Sequence, residues 1–84
     1  MASVNTNEDV EKAAKKAAVA LYGTDIKDFK VRVVFPFPSE HKRDSWDVQV
    51  TFLSNGVQYT VDLMINEKNG QITNARLIDK MTPL

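Results

Sequence analysis

The chain has 84 residues, with eleven basic and eleven acidic side chains and no Cys. This length predicts one domain over residues 1–84, because single domains run from about 50 to 250 residues. A formal net charge of zero argues against a dedicated nucleic-acid binder, whose surface would be basic. The absence of Cys, the polar N-terminus and the lack of a long apolar run predict a cytoplasmic protein with no disulfide and no membrane span.

A helix is predicted near the N-terminus. The polar residues 5–7 can each cap its first free amides, and Gly23 suits its C-terminal cap. The tails over residues 1–6 and 80–84 are predicted to be loose. The apolar residues of the helix recur at helical spacing and predict one buried stripe, made of Val10, Ala13, Ala14, Ala17, Ala18 and Leu21.

The first strand is predicted over Asp28 to Phe35, where apolar and other residues alternate. Pro36-Phe37-Pro38 should end it, because Pro lacks the amide that a sheet ladder needs. Residues 36–45 are therefore predicted to form a loop of about ten residues, and loops of this length are often functional. The side chains of the first strand expected in the core are Phe29, Val31, Val33 and Phe35.

The strongest fold signal is a hairpin over residues 46–65. Asn55-Gly56 predicts a type I′ turn, which sets the register of the two strands. A slip by one residue would turn one apolar set towards water, so the turn and the pattern agree on a single register. In that register the apolar partners are Phe52 with Tyr59, Val50 with Val61, Val48 with Leu63 and Trp46 with Ile65.

A second reversal over residues 66–71 leads to a fourth strand from Ile72 to Ile78. The charge of Arg76 favours an edge position for this strand. The strand lacks strict alternation, so two core-facing sets stay open if the loop contains a bulge. These sets are Ile72, Asn74, Arg76 and Ile78, or Thr73, Ala75 and Leu77.

One helix followed by four strands joined by hairpins predicts an α+β fold, with the N-terminal helix packed across a four-stranded antiparallel meander (αββββ). The other face of the sheet is expected to be polar. Val34, Met64 and Leu77 interrupt it and would form a small exposed apolar patch, which can mark an association surface.

Three segments resemble the PepSY domain over roughly residues 10–78. They are Trp46-Asp47-Val48-Gln49-Val50, Tyr59-Thr60-Val61-Asp62-Leu63 and Asn66-Glu67-Lys68-Asn69-Gly70-Gln71-Ile72. Asn66 and Asn69 depart from the family, which has Asp and Thr at these places. The resemblance implies a cystatin-like fold and a non-catalytic role as a peptidase-inhibitory or ligand-binding module, and it carries over no catalytic residue.

Catalytic and metal chemistry find little support in the residues. His41 is the only His, and with no Cys the remaining metal ligands would be scattered carboxylates. A Ser, His and Asp triad would have to use Ser residues on loops or turns, without an oxyanion-hole motif. The three Gly are isolated, so no phosphate-binding loop is formed. We therefore predict no enzyme activity, no metal and no cofactor.

Phe37, between two Pro residues, is the sharpest functional hint. An aromatic side chain on a stiff loop can insert into a partner's groove, and it can equally fold back to cap the core beside Trp46. Both interpretations stay open.

A basic strip near Phe37 is the second candidate site. It could bind phosphates or stack on single-stranded nucleic acid, although a solvated charged face is the simpler interpretation at zero net charge. We predict a binding module, monomeric or a weak homodimer, that engages a protein or peptide through residues 36–45 or an exposed sheet edge. The alternative is an accessory nucleic-acid binder. The candidate binding residues are Phe37, His41, Lys42, Arg43, Arg32 and Lys30.

Overall fold

The computed structural model describes residues 4–82. It has one helix and one antiparallel sheet, whose strands lie side by side in chain order. The helix packs on one face of the sheet, the core face, and the opposite side is the outer face. The predicted α+β arrangement, αββββ, is therefore confirmed. The elements are α1 (Asn7–Tyr22), β1 (Lys27–Phe37), β2 (Ser45–Ser54), β3 (Val57–Asn66) and β4 (Ile72–Met81).

Helix α1 begins and ends near the predicted caps. Thr6 Oγ1 accepts a hydrogen bond from the amide of Asp9 at 3.1 Å, and the amide of Gly23 donates to the carbonyl of Val19 at 2.8 Å. The apolar stripe is buried as predicted except at two members, because Ala13 is half-buried and Leu21 is 56% exposed. The helix lies over β1, β2 and β3, and Leu21 projects from its flank on the side of β4.

The β2–β3 hairpin has the predicted register throughout. Trp46 pairs with Ile65 at one end and Phe52 with Tyr59 at the other. Asn55 and Gly56 have φ values of 53° and 78°, as both central residues of a type I′ turn require. The rings of Phe52 and Tyr59 pack with that of Tyr22, whose centroid lies 5.0 and 5.1 Å from theirs, and this fixes the end of α1 on the sheet.

Strand β1 does not alternate regularly, and this changes which side chains reach the core. Val31 pairs with Val50, but the register shifts by one residue at Arg32, so that Val34 pairs with Val48. Such a β-bulge reverses the facing of every later residue in the strand. The predicted inward positions of Val33 and Phe35 are therefore wrong, because Val34 packs against the core and Phe35 is 59% exposed on the outer face.

Strand β1 also continues further than predicted. It runs to Phe37, with Pro36 opposite Trp46 and Phe37 opposite Ser45. The missing amide of Pro36 is tolerated because β1 is an edge strand, which has a neighbour on one side only. The predicted loop over 36–45 is consequently shorter, and we call residues 38–44 the β1–β2 connection.

Strand β4 lies at the other edge, as predicted. Its core-facing residues come from both of the alternative sets that the sequence left open. Ile72 pairs with core residue Ile65, and after a register shift at Thr73 it is Ala75 that pairs with core residue Leu63. The shift, one extra residue in β4, explains why alternation could not decide between the sets. The strand extends to Met81, so the described part of the predicted loose tail over 80–84 is strand; residues 83 and 84 lie outside the described residues.

The N-terminal segment closes one end of the sheet. The predicted loose tail over 1–6 is wrong for the described residues, because Val4 is only 5% exposed. Its amide donates to the carbonyl of Glu67 at 2.7 Å, and its carbonyl accepts from Trp46 Nε1 at 2.8 Å. Residues 1–3 lie outside the described residues. The buried apolar core consists of Val4, Val10, Ala14, Ala17, Ala18, Trp46, Val48, Val50, Phe52, Val61, Leu63 and Ile65.

Candidate interaction surfaces

The β1–β2 connection is held in place by contacts with its neighbours. The Arg43 guanidinium forms an ion pair with Glu67, with Nε 2.8 Å from Oε1, and lies 4.4 Å from the centroid of the Trp46 ring. The amide of Asp44 donates to the carbonyl of Phe37, and the amide of Glu67 donates to the carbonyl of Asp44. Arg43 is thus engaged within the chain, whereas His41 and Lys42 are exposed.

The predicted basic strip is divided between two places. Lys30 pairs with Thr51 in the middle of the sheet, whereas the connection follows Phe37 at the sheet's end. At the rise of a β-strand, about 20 Å separate these two groups. Lys30 and Arg32 instead line a shallow cavity together with the carboxylate of Asp28. The six candidate residues are therefore not brought together as one surface.

The outer face has exposed aromatic side chains and a cleft that contains two carboxyl groups. Phe35 is exposed, and Phe37 is 46% exposed instead of capping the core beside Trp46. A small cleft of about 110 Å³ lies next to Phe35 and is lined by Val33, Phe35, Asp47, Gln49 and Asp62. The predicted outer patch of Val34, Met64 and Leu77 is wrong in two members, because Val34 and Leu77 pair with core residues.

Asp47 and Asp62 interact within this cleft. The pKa of Asp62 is raised to about 6, chiefly by burial and also by a hydrogen bond with Asp47 and by the charge of Asp47, against the opposing charge of Arg76. Asp47 Oδ1 is buried and has no hydrogen-bond partner among the described residues. A proton on Asp62 can be shared with this oxygen, and this favours the protonated form of Asp62 below about pH 6.

A second apolar surface lies between the helix and β4. Because α1 packs over the first three strands, the core-facing side of β4 is left largely open, and only Ile72 among its residues is half-buried. This α1–β4 groove has a volume of about 360 Å³ and is lined by Ala17, Ala20, Leu21, Ile72, Thr73, Asn74 and Ala75.

The exposed apolar side chains concentrate at this groove and along β4. Among residues 4–82, six large apolar side chains are exposed, and besides Phe35 and Phe37 they are Leu21, Leu77, Ile78 and Met81. Of these four, the sequence pointed only to Leu77 as part of an association surface, and it placed Leu77 on the outer face. A signal was present in the element count, because four strands are about 19 Å wide and a single helix is about 10 Å across, so one helix cannot cover the sheet.

Residues 4–82 show neither a cluster of metal ligands nor a membrane-spanning helix. Within that range, no three His, Cys, Asp or Glu side chains lie together as metal ligands would. The helix in the described part of the chain is not long and apolar enough to cross a membrane.

Comparison with known proteins returned no match. No family model matches the chain, and neither the curated proteins nor the solved structures contain a protein with significant similarity to it.

Proposed function

We propose that this protein is a small non-catalytic module that binds an extended segment of a protein or peptide along β4. An extended segment can add to an exposed sheet edge through backbone hydrogen bonds, while its alternate side chains enter pockets beside the edge. The open edge of β4 offers the backbone groups, and the α1–β4 groove offers an apolar pocket next to it.

The observation that carries the proposal is the clustering of exposed apolar side chains. Leu77, Ile78 and Met81 are 48%, 44% and 54% exposed along β4, and Leu21 of α1 lines the α1–β4 groove beside the first half of the strand. Contiguous exposed apolar surface on a small protein marks an interaction site more often than scattered apolar residues do.

The β1–β2 connection supports binding less well than β4 does. Arg43 is engaged by Glu67 and Trp46, and Asp44 is tied to both neighbouring segments. The nucleic-acid alternative also loses support, because Lys30 and Arg32 lie far from Lys42 along the sheet. The PepSY relationship, the cytoplasmic location and the absence of catalysis stay predictions.

Selection of random peptides displayed on phage tests the proposal. Peptides selected on the wild-type protein are expected to have alternating apolar residues and to bind Leu77→Lys at least about tenfold more weakly, because a desolvated ammonium replaces an apolar contact. Fluorescence anisotropy with a selected, dye-labelled peptide measures this change.

Phe35→Lys is the matched control, because it makes the same kind of change at an exposed apolar residue on the outer face. Its affinity for the peptide should equal that of the wild type. Peptides that lose affinity for Phe35→Lys and keep it for Leu77→Lys would move the site to the outer face and contradict the proposal.

A further inference from the structure

We infer that the partner of β4 is a second copy of this chain, paired antiparallel through β4 so that the two sheets become one of eight strands. This inference rests on the proposed function and names the partner of that same surface. Such a dimer has a two-fold axis perpendicular to the sheet, and each residue of β4 faces a partner residue that lies on the same face.

The charges of β4 are complementary to themselves in one register. Arg76 pairs with Asp62 and Asp79 pairs with Thr60, so both charged side chains belong to the outer face. In a regular strand, residues three apart would lie on opposite faces. The register shift at Ile78 adds one residue between them and brings both to the same face. Arg76 of each copy can therefore stand opposite Asp79 of the other, which creates two ion pairs.

The same register also pairs core-face residues of one copy with core-face residues of the other. It places Ala75 opposite Lys80 of the second copy, and both residues pair with core-facing residues of β3 within their own chain. Beside the axis, Leu77 of each copy then lies opposite Ile78 of the other. This contact removes exposed apolar surface from water. A shift by one residue that put Arg76 opposite Lys80 would instead set an outer-face residue against a core-face residue and separate the charged pairs.

The other sheet edge lacks this complementarity. Strand β1 has Lys27, Lys30 and Arg32 in its first half and Pro36 near its end. Like charges and Pro are features that keep an edge strand from pairing with another copy. Self-association is therefore expected through β4 and not through β1.

Sedimentation velocity over concentrations from about 1 µM to about 1 mM tests the inference. The wild type is expected to pass from monomer to dimer within this range, and Asp79→Arg should raise the midpoint concentration at least about tenfold, because it sets Arg76 against a second Arg. Glu40→Arg is the matched control, since it makes the same change in charge at an exposed position of the β1–β2 connection, and it should leave the midpoint unchanged.

A charge exchange checks the register directly. Arg76→Asp should also weaken self-association, and a mixture of Arg76→Asp with Asp79→Arg should form a heterodimer with two ion pairs, one of them with its charges reversed. Circular dichroism establishes that each variant folds, which matters for Arg76→Asp because Arg76 lies opposite Asp62.

If Arg76→Asp does not fold, a distance measurement between the two copies tests the register instead. The chain has no Cys, so Asn74→Cys accepts a single spin label. In the proposed register the two labels lie about 25 Å apart along the paired strands, within reach of double electron–electron resonance.

A wild type that stays monomeric, or a dimer that Asp79→Arg does not weaken, overturns the inference. If the monomer still binds selected peptides in a Leu77-dependent way, the proposed function stands and only the identity of the partner was wrong. If Leu77→Lys changes neither peptide binding nor self-association, the proposed function fails as well.

Discussion

Asp62 is a residue whose ionisation opposes folding at neutral pH. Its pKa of about 6 in the folded protein is above its ordinary value of 3.8. The folded state therefore holds a proton that the unfolded state has already released between these two pH values. The stability that this carboxyl contributes is present below about pH 4 and is lost as the pH rises through about 6.

Asp62→Asn should stabilise the protein at neutral pH and change the free energy of unfolding little near pH 4. The gain is on the order of 1 kcal/mol, less than the pKa shift alone implies, because the cleft is open to water and Arg76 loses an opposite charge. Urea unfolding at about pH 4, 5.5 and 7.5 measures it. Asp25→Asn, an exposed carboxyl in the α1–β1 turn, is the control, and an equal gain in both variants would argue against the carboxyl pair.

At the scale of the elements, the bulges in the two edge strands decide which side chains form each surface. The shift at Arg32 turns Val34 inward and puts Phe35 on the outer face. The shift at Ile78 brings Arg76 and Asp79 to one face of β4. Bulges are common in edge strands, because such a strand forms hydrogen bonds with only one neighbouring strand.

The bulge in β1 predicts that Val34 contributes to stability and Phe35 does not. Simple alternation along the strand predicts the reverse. Val34→Ser should lower the free energy of unfolding by about 1 to 2 kcal/mol, because it removes apolar contacts from the core. Phe35→Ser should change it by less than about 0.5 kcal/mol, because Phe35 is exposed. Chemical denaturation of both variants measures the difference, and a larger loss for Phe35→Ser would show that β1 has the regular register.

At the scale of the whole molecule, segments distant in the chain meet at the end of the sheet that contains Trp46. Val4 forms hydrogen bonds with the indole of Trp46 in β2 and with the backbone of Glu67 in the β3–β4 turn. The side chain of Glu67 in turn forms an ion pair with Arg43 of the β1–β2 connection. The turn itself approaches Val4 closely, since a Cβ added to Gly70 would lie 3.1 Å from Val4 Cγ2. The N-terminal segment is therefore part of the folded unit.

Val4→Ala tests this closure. It should cost about 1 to 2 kcal/mol of unfolding free energy, because the side chain is almost fully buried. Asn5→Ala, the exposed neighbour, is expected to have no measurable effect. Thermal unfolding followed by circular dichroism compares the two variants, and equal melting temperatures for Val4→Ala and the wild type would mean that the segment is not docked in solution.

The sequence predicts the fold best where the information is local. The register from Trp46 to Ile65 follows from Asn55-Gly56 and an unbroken alternation, and the structure has the same pairs. The facing of Phe35 could not be predicted, because a bulge depends on how β1 fits β2 and leaves no residue signal of its own. The pairing of Arg43 with Glu67, 24 residues apart, is likewise a product of the tertiary fold.

The open apolar surface beside β4 could not be predicted from the sequence, because it depends on the relative sizes of the helix and the sheet. The binding role of residues 36–45 stays a prediction. The exposure of Leu77 and Ile78 depends on how far one helix reaches across four strands, which no segment of the chain encodes by itself.

The position of Trp46 also provides a built-in spectroscopic probe. It is the only Trp of the chain, its indole donates to Val4, and the Arg43 guanidinium lies over its ring. Its emission therefore reports on the closed end of the sheet, where Ile65 separates it from Ile72 of β4. Ligand binding at β4 can be followed with an external dye while Trp46 emission records, in the same cuvette, whether the closed end stays intact.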